Sequence, residues 1–404
     1  MKRNMLDAAQ AAKRLGVKPQ TLYAYVSRGL LTRTLADDGR RSLFAAHELE
    51  ALARRGRPRR EQRGGVEVSL GTAITEIAPS KLSYRGHDAI ELARSQPFEA
   101  VAELLWTGAL PSRPRWRELE QPQPLVRRSA RLLPDYCFGV ERFAAVAAVL
   151  AARQPLRVDL SLANVSALAR LLIASFVHAL PAGARARPGG VAQSLWPRLS
   201  RLPATPARVA ALDCALCLLA DHELASSTLA ARVAASTRAD PFFVVIGGLG
   251  TLAGPLHGKA ATGLQRLLLE AAREPSPALA GARALQSTLT GFAHPVYADG
   301  DPRARALLEV IAARGKTRAV LDAVEDAGRR QTGGAPNIDF ALAALAYAME
   351  MPLGASEAIF AIARTAGLIA HALEEYGERP LRFRARAVFT GATAPRARRA
   401  TSGG

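Results

Sequence analysis

Cysteine, lysine and long uncharged runs are all scarce in this sequence. Three cysteines in 404 residues, Cys137, Cys214 and Cys217, exclude a disulfide scaffold and fit a reducing compartment, so a cytoplasmic location is expected. The first residues are charged and lack the apolar core of a signal peptide. The longest uncharged stretch of note, 241–256, has 16 residues, glycine and proline among them. That is too short to span a bilayer, and no membrane partner is expected. Paired metal-ligand spacing is missing: Cys214-Ala-Leu-Cys217 is a single CxxC in an apolar helical run where both thiols suit a core, so no metal site is expected. Gly248-Leu-Gly250-Thr-Leu-Ala-Gly254 has the spacing GxGxxxG rather than that of a dinucleotide loop; 242–246 could form a strand before it, but the small residues better suit close helix packing. No βα alternation and no fixed repeat run through the chain, which argues against an α/β sheet and a solenoid.

What is present is an ordinary globular composition, 49% apolar and 22% charged, in a chain long enough for two or three domains. The net charge is +19, carried by forty-eight arginines and only six lysines. Arginine dominance beside much alanine is also what a GC-rich coding bias produces, so the distribution says more than the total. Residues 1–65 hold fifteen basic and six acidic side chains, a net +9, and a basic head suits nucleic acid.

Within that head, 7–28 predicts two short helices around a turn: Ala8, Ala9, Ala12 and Leu15 share a face, Gly16 suits a helix end, and Pro19 opens the next helix. Leu22 and Val26, four apart, can pack on the first helix. Leu31–Ala36 and Arg40–Ala45 flank Asp37-Asp38-Gly39 as a hairpin would, and His47–Arg55 has a helical pattern. Helix, turn, helix, wing, helix resembles the winged DNA-binding heads of MerR-type regulators and excisionase-like proteins, with 11–31 carrying the likeness. The resemblance implies that Gln20, Thr21 and Tyr23 face bases and that Arg28, Arg40 and Arg41 face phosphates of double-stranded DNA. The expected boundaries are 1–55 for the winged domain, 56–65 for a flexible basic linker, 66–391 for the body and 392–404 for a disordered tail.

From about residue 88 onward the pattern is helical, with apolar i, i+3, i+4 spacing at 88–108, 141–153, 161–179, 205–235, 256–273, 303–327, 338–350 and 355–376. The expected class is all-α, with a few strands near 66–84. The rare polar residues fall at element ends punctuated by glycine and proline. His222 stands in Ala-Asp-His-Glu, His257 in Gly-Pro-Leu-His-Gly, His294 in Gly-Phe-Ala-His-Pro and Asp339 in Pro-Asn-Ile-Asp-Phe, with Arg303 in Asp-Pro-Arg-Ala. Arg364 interrupts an apolar helix with no carboxylate within one turn, a costly place for a guanidinium unless a ligand carboxylate meets it. Four such motifs in one helical body point to a shared site.

Gly254-Pro-Leu-His-Gly258, Gly291-Phe-Ala-His-Pro-Val-Tyr297, Asp301-Pro-Arg-Ala304, Pro336-Asn-Ile-Asp-Phe340 and Phe360-Ala-Ile-Ala-Arg-Thr-Ala-Gly367 stand in the order and spacing of the citrate synthase family. With Leu82-Ser-Tyr-Arg-Gly86 and 98–111 they extend the resemblance over 74–391. It implies a large helical domain with a small one, roughly 215–325, closing over the substrates, and a homodimer. It also implies an acyltransferase that condenses acetyl-CoA, a co-substrate, with oxaloacetate and water, using no metal or other cofactor. By motif, Asp339 is the base, His257 the donor to the thioester oxygen and His294 the donor to the oxaloacetate ketone. His222, Arg303, Arg364 and, from a partner chain, Arg382 would hold oxaloacetate. Several positions depart from the family pattern: Leu224-Ala225-Ser226 where an asparagine is common, Lys259-Ala260-Ala261 after the second histidine motif, Pro295, Phe383, and Ala341-Leu-Ala-Ala344. Two other functions fit the same residues: a 2-methylcitrate synthase using propionyl-CoA, and a DNA-binding regulator whose body senses metabolites.

Overall fold

The computed structural model describes residues 5–386 except 16, 28–29, 37–40, 47, 50–67, 79–80, 113, 121–122, 182–188, 287–289 and 298. The chain divides into two compact units, Met1–Gly71 and Thr72–Gly404. In the first, helices Ala8–Leu15 and Pro19–Ser27 pack through Ala11, Leu15 and Leu22 onto Leu31, Phe44 and Leu49. Asp7 and Gln10 cap the first helix reciprocally: Asp7 Oδ1 accepts from the Gln10 amide at 2.8 Å, and Gln10 Oε1 from the Asp7 amide at 3.1 Å. The expected hairpin forms between Thr34–Leu35 and Ser42–Ala45, shorter than expected because Leu31 turns into the core instead of extending the strand. Its turn, 37–40, and most of the helix expected at 47–55 lie outside the described residues. A third strand, Met5–Asp7, pairs antiparallel with Ser42–Ala45 and was not expected; three residues are too few to show alternation.

The second unit is built of helices, with one small antiparallel sheet among the described residues: Thr75–Ala78 and Lys81–Tyr84 fall in the expected strand region, and His87–Asp88 lies just beyond it. Its centre is the helix Ala355–Gly377, in which every residue from Ala355 to Ala372 is buried. Alanine on most of its faces lets neighbours come close, and Leu162–Ala179, Pro206–Leu219, Ser226–Ser236 and Pro241–Leu252 all pack on it. Two of these helices, Leu162–Ala179 and Ala355–Gly377, are long and apolar enough to cross a membrane by length and composition, yet 67% and 94% of those stretches are buried within the unit.

Three expected helices each divide in two: 88–108 forms Ala89–Ser95 and Phe98–Thr107. Residues 205–235 form two helices, Pro206–Leu219 and Ser226–Ser236, and 303–327 forms Pro302–Val310 and Gly315–Thr332. Residues 242–246 are helical, because Asp240 accepts from the Phe242 and Phe243 amides and Pro241 occupies the first turn. Helices Pro124–Ala130, Val191–Leu199 and Pro277–Leu285 were not expected.

Two segments far apart in sequence, Thr72–Ala73 and the stretch around Arg382, are held on one turn of the central helix. Glu374 accepts from Thr72 Oγ at 2.9 Å and from the Ala73 amide at 2.7 Å, while Glu375 receives Arg382 on both oxygens, at 2.7 and 2.6 Å. Buried Arg232 bridges the two carboxylates.

Candidate active site

Six of the expected residues surround one cavity of about 780 Å³: His222, His257 and His294 from loops, Arg303 and Asp339 from the first turns of helices, and Arg364 from the middle of one. His222 occupies the break between Pro206–Leu219 and Ser226–Ser236. The break is enforced at Gly367, whose amide donates to the Ala220 carbonyl at 3.0 Å; a Cβ there would overlap that carbonyl and Asp221. Asp221 then pins the turn, accepting from Thr75 Oγ, the Glu223 amide and His371 Nε2. His371 Nδ1 lies 2.9 Å from Arg232, which can only donate, so the proton of a neutral His371 ring sits on Nε2 and is given to Asp221.

His257 sits in the turn after Pro241–Leu252, where the Gly258 amide returns to the Leu252 carbonyl at 2.9 Å. Its Nε2 is 2.8 Å from Ser227 Oγ. His294 follows Ala293, whose φ of +58° is uncommon for a residue with a Cβ. That conformation is held by two bonds, the Ala293 amide to Ala335 O at 2.8 Å and Asn337 Nδ2 to Ala293 O at 3.0 Å. His294 Nδ1 accepts the Val296 amide at 3.2 Å, which leaves Nε2 to carry the proton of the neutral ring.

Arg303, in the first turn of Pro302–Val310, is buried in a two-pronged pair with Asp301, Nε to Oδ1 at 3.0 Å and Nη2 to Oδ2 at 2.8 Å. Asp301 Oδ2 also accepts the Ile338 amide at 3.0 Å, joining this arginine to the start of the helix that carries Asp339. Arg364 lies mid-helix and is 1% exposed. Its Nε donates to the Leu219 carbonyl at 3.0 Å, its face covers the Phe360 ring at 4.8 Å, and its Nη1 is buried with no partner among the described residues.

Electrostatically the cavity holds neutral imidazoles and fixed cations. Burial and then the neighbouring arginines lower all three histidines, His257 to about 4 and His222 well below its ordinary range. Burial pushes Asp339 up to about 6 against the pull of Arg303 and Arg364. Its carboxylate accepts no side-chain hydrogen bond among the described residues. The site can therefore grip an anion with guanidinium groups, donate hydrogen bonds from uncharged rings and remove a proton with a strengthened base.

Arg382 is not in the cavity of its own chain; it is held by Glu375. In the first unit, Gln20 is exposed and Thr21 half-buried near the start of the second helix, while Tyr23 is 43% exposed and bonds Ser42 Oγ at 3.4 Å. Arg41 is exposed; Arg28 and Arg40 lie outside the described residues. The sequence reading gave no role to Ser227, Asp301, Tyr297 or Phe360. Asp301 and Tyr297 were legible only as members of their motifs, and Ser227 carried no signal.

The chain matches the model of the citrate synthase C-terminal domain over residues 65–386 and that of a helix-turn-helix domain over residues 5–57. Among its relatives, citrate synthase 2 of Bacillus subtilis is 29% identical over 353 residues, covering 80% of this chain and 94% of that protein. A citrate synthase of Haloferax volcanii is 31% identical over 369 residues, covering 80% and 96%. A 2-methylcitrate synthase of Mycobacterium tuberculosis is 28% identical over 368 residues, covering 82% and 93%. Among solved structures, the Thermoplasma acidophilum citrate synthase in ternary complex with carboxymethyl coenzyme A and oxaloacetate superposes with a TM-score of 0.69 at 24% identity, covering 82% of this chain and 96% of that one. The Pyrobaculum aerophilum citrate synthase gives 0.68 at 26% identity, covering 82% and 92%.

Proposed function

The chain belongs to the citrate synthase family, enzymes that turn an acyl group into an alkyl group on transfer, and from that premise we propose that it condenses acetyl-CoA with oxaloacetate and water to give citrate and CoA. The observation that carries this reading is the convergence of Asp339, three neutral histidines and two buried arginines, one with an unpartnered Nη1, on a single cavity. Oxaloacetate supplies the missing partner: a carboxylate on Arg364 Nη1 repays the cost of burying that group, and Arg303 and His222 take the remaining polar atoms. Asp339 removes a proton from the acetyl methyl, a weak carbon acid that a carboxylate at the ordinary ~3.9 would serve poorly. His257 donates to the thioester oxygen as the enol forms. The enol carbon then bonds to the oxaloacetate ketone carbon, the ketone oxygen takes the Nε2 proton of His294, and the proton that Asp339 removed is returned to that ring through solvent, which restores both groups. Water adds to the resulting thioester carbonyl, the carbon–sulfur bond breaks, and CoA leaves as the thiol.

Propionyl-CoA in the same steps gives 2-methylcitrate, and relatives of both names support keeping both acyl donors in the test. Thiol release from each donor, with and without oxaloacetate, decides between them. No turnover with either, together with retention on duplex DNA, overturns the enzyme in favour of a metabolite-sensing regulator. For the head we propose duplex DNA binding, supported by the helix-turn-helix match and the local charge of +9. For the assembly we propose a homodimer in which Arg382 of a second copy completes the oxaloacetate grip.

A further inference from the structure

Behind the cavity wall lies a phenol that the catalytic scheme does not use. Tyr297 is 1% exposed. Its hydroxyl is 3.1 Å from His222 Nε2, and its ring lies 4.9 Å from that of His294 with the Arg303 guanidinium 5.7 Å from its centroid. One side chain thus abuts three residues of the proposed oxaloacetate grip. We propose that Tyr297 is a positioning residue that acts through His222, donating its hydroxyl proton to Nε2 and so fixing the imidazole proton on Nδ1, where it is available to an anionic ligand.

The direction of the hydrogen bond follows from what each group can do. Tyr297 Oη has no other hydrogen-bond partner among the described residues. Were the imidazole proton on Nε2, it would point at the phenol oxygen, and the phenol hydrogen would be buried without an acceptor. A buried donor left unpaired is the costly arrangement, whereas an unused lone pair costs little. The ring is neutral, because burial and the nearby arginines oppose a second proton, so it has one hydrogen to place. Burial also pushes the phenol up to about 12, so its own proton stays in place at neutral pH. Nδ1 has no hydrogen bond among the described residues, and the ring lines the cavity. With the proton on Nδ1 the ring offers a donor to a carboxylate or a ketone. With it on Nε2 the same edge would offer a lone pair, which repels either one.

The ligand class rests on the proposed function, but the tautomer does not, and the experiment separates them. The full chain is labelled with ¹⁵N-histidine, and the His222 nitrogens are assigned by their loss in His222→Gln. The wild-type protein without ligand is expected to show a protonated Nδ1 and an unprotonated, hydrogen-bonded Nε2. Tyr297→Phe keeps the ring and removes the hydroxyl; it should shift His222 toward the Nε2-protonated form and weaken oxaloacetate binding, read by calorimetry, about tenfold. A protonated Nε2 in the wild type overturns the proposal, whether or not the variant folds. So does a folded Tyr297→Phe whose His222 signals and oxaloacetate affinity match the wild type. The expected wild-type tautomer without any oxaloacetate binding would support the Tyr297 assignment and count against the proposed substrate instead.

Discussion

Asp339 is the side chain on which turnover should depend most, and its environment makes the dependence measurable. With burial holding it near 6, the base is protonated and idle in more acid solution. The rate with saturating oxaloacetate is therefore expected to rise with pH through about 6 and level off above it. Asp339→Asn should lower kcat by ~10²–10⁴ while oxaloacetate still binds, since the carboxylates are gripped elsewhere. Calorimetric loss of oxaloacetate binding in that variant would make Asp339 structural. At this scale the sequence was most informative, because a histidine or carboxylate between glycine and proline stands out against an apolar background. It was least informative about partners. Ser227 beside His257 is an ordinary helix serine until the fold brings the two within 2.8 Å. Ala293 shows why: its φ of +58° is imposed by bonds to Ala335 and Asn337, residues more than forty positions away.

Helix starts set the limit of legibility among the elements. Asp240, Asp301 and Asp88 cap their helices locally, and each could be read from the residue order. Three other helices are preceded by Pro97, Gly139 and Gly190, none of which supplies a side-chain acceptor. Their free amides are taken by distant carboxylates: Asp213 accepts from Phe98, Glu357 from Val140 and Glu99 from Val191. No local pattern announces such a cap, which is why Val191–Leu199 escaped the sequence reading. The arrangement has a pH signature, because burial and then the neighbouring Glu99 raise Asp213 to about 7. Between the unfolded value of ~3.9 and about 7, the folded protein keeps a proton that the unfolded chain has released. Its contribution to stability is full below about 4, falls as pH rises to about 7 and is flat beyond. Asp213→Asn should flatten that fall relative to wild type in denaturant titrations across this range. Helix contacts give a second expectation. Gly367→Ala drives a methyl into the Ala220 carbonyl and Asp221, and should cost about 1–3 kcal/mol in the same titrations.

For the whole molecule, the charge distribution and ordered motifs divided the chain early, and the break between its compact units falls at Gly71 and Thr72, beyond the expected linker of 56–65. Removing residues 1–65 should leave thiol release intact and abolish any retention on duplex DNA, and DNA binding by the full chain should weaken steeply with salt. DNA affinity that persists in the shortened protein would reassign that function to the body. Whether sites are shared between copies is tested by refolding Asp339→Ala and Arg382→Ala together. A shared site should recover about a quarter of wild-type activity under random pairing, whereas a site served by its own chain recovers none. The last turn of the central helix has a further consequence. Thr72 and Ala73 on one side and Arg382 on the other are fastened to adjacent glutamates, so two segments far apart in sequence meet at one helical turn. Such a body is a closed circuit that can be opened elsewhere. A circular permutant that joins residue 386 to residue 72 and begins in an exposed turn such as 152–153 should keep its fold.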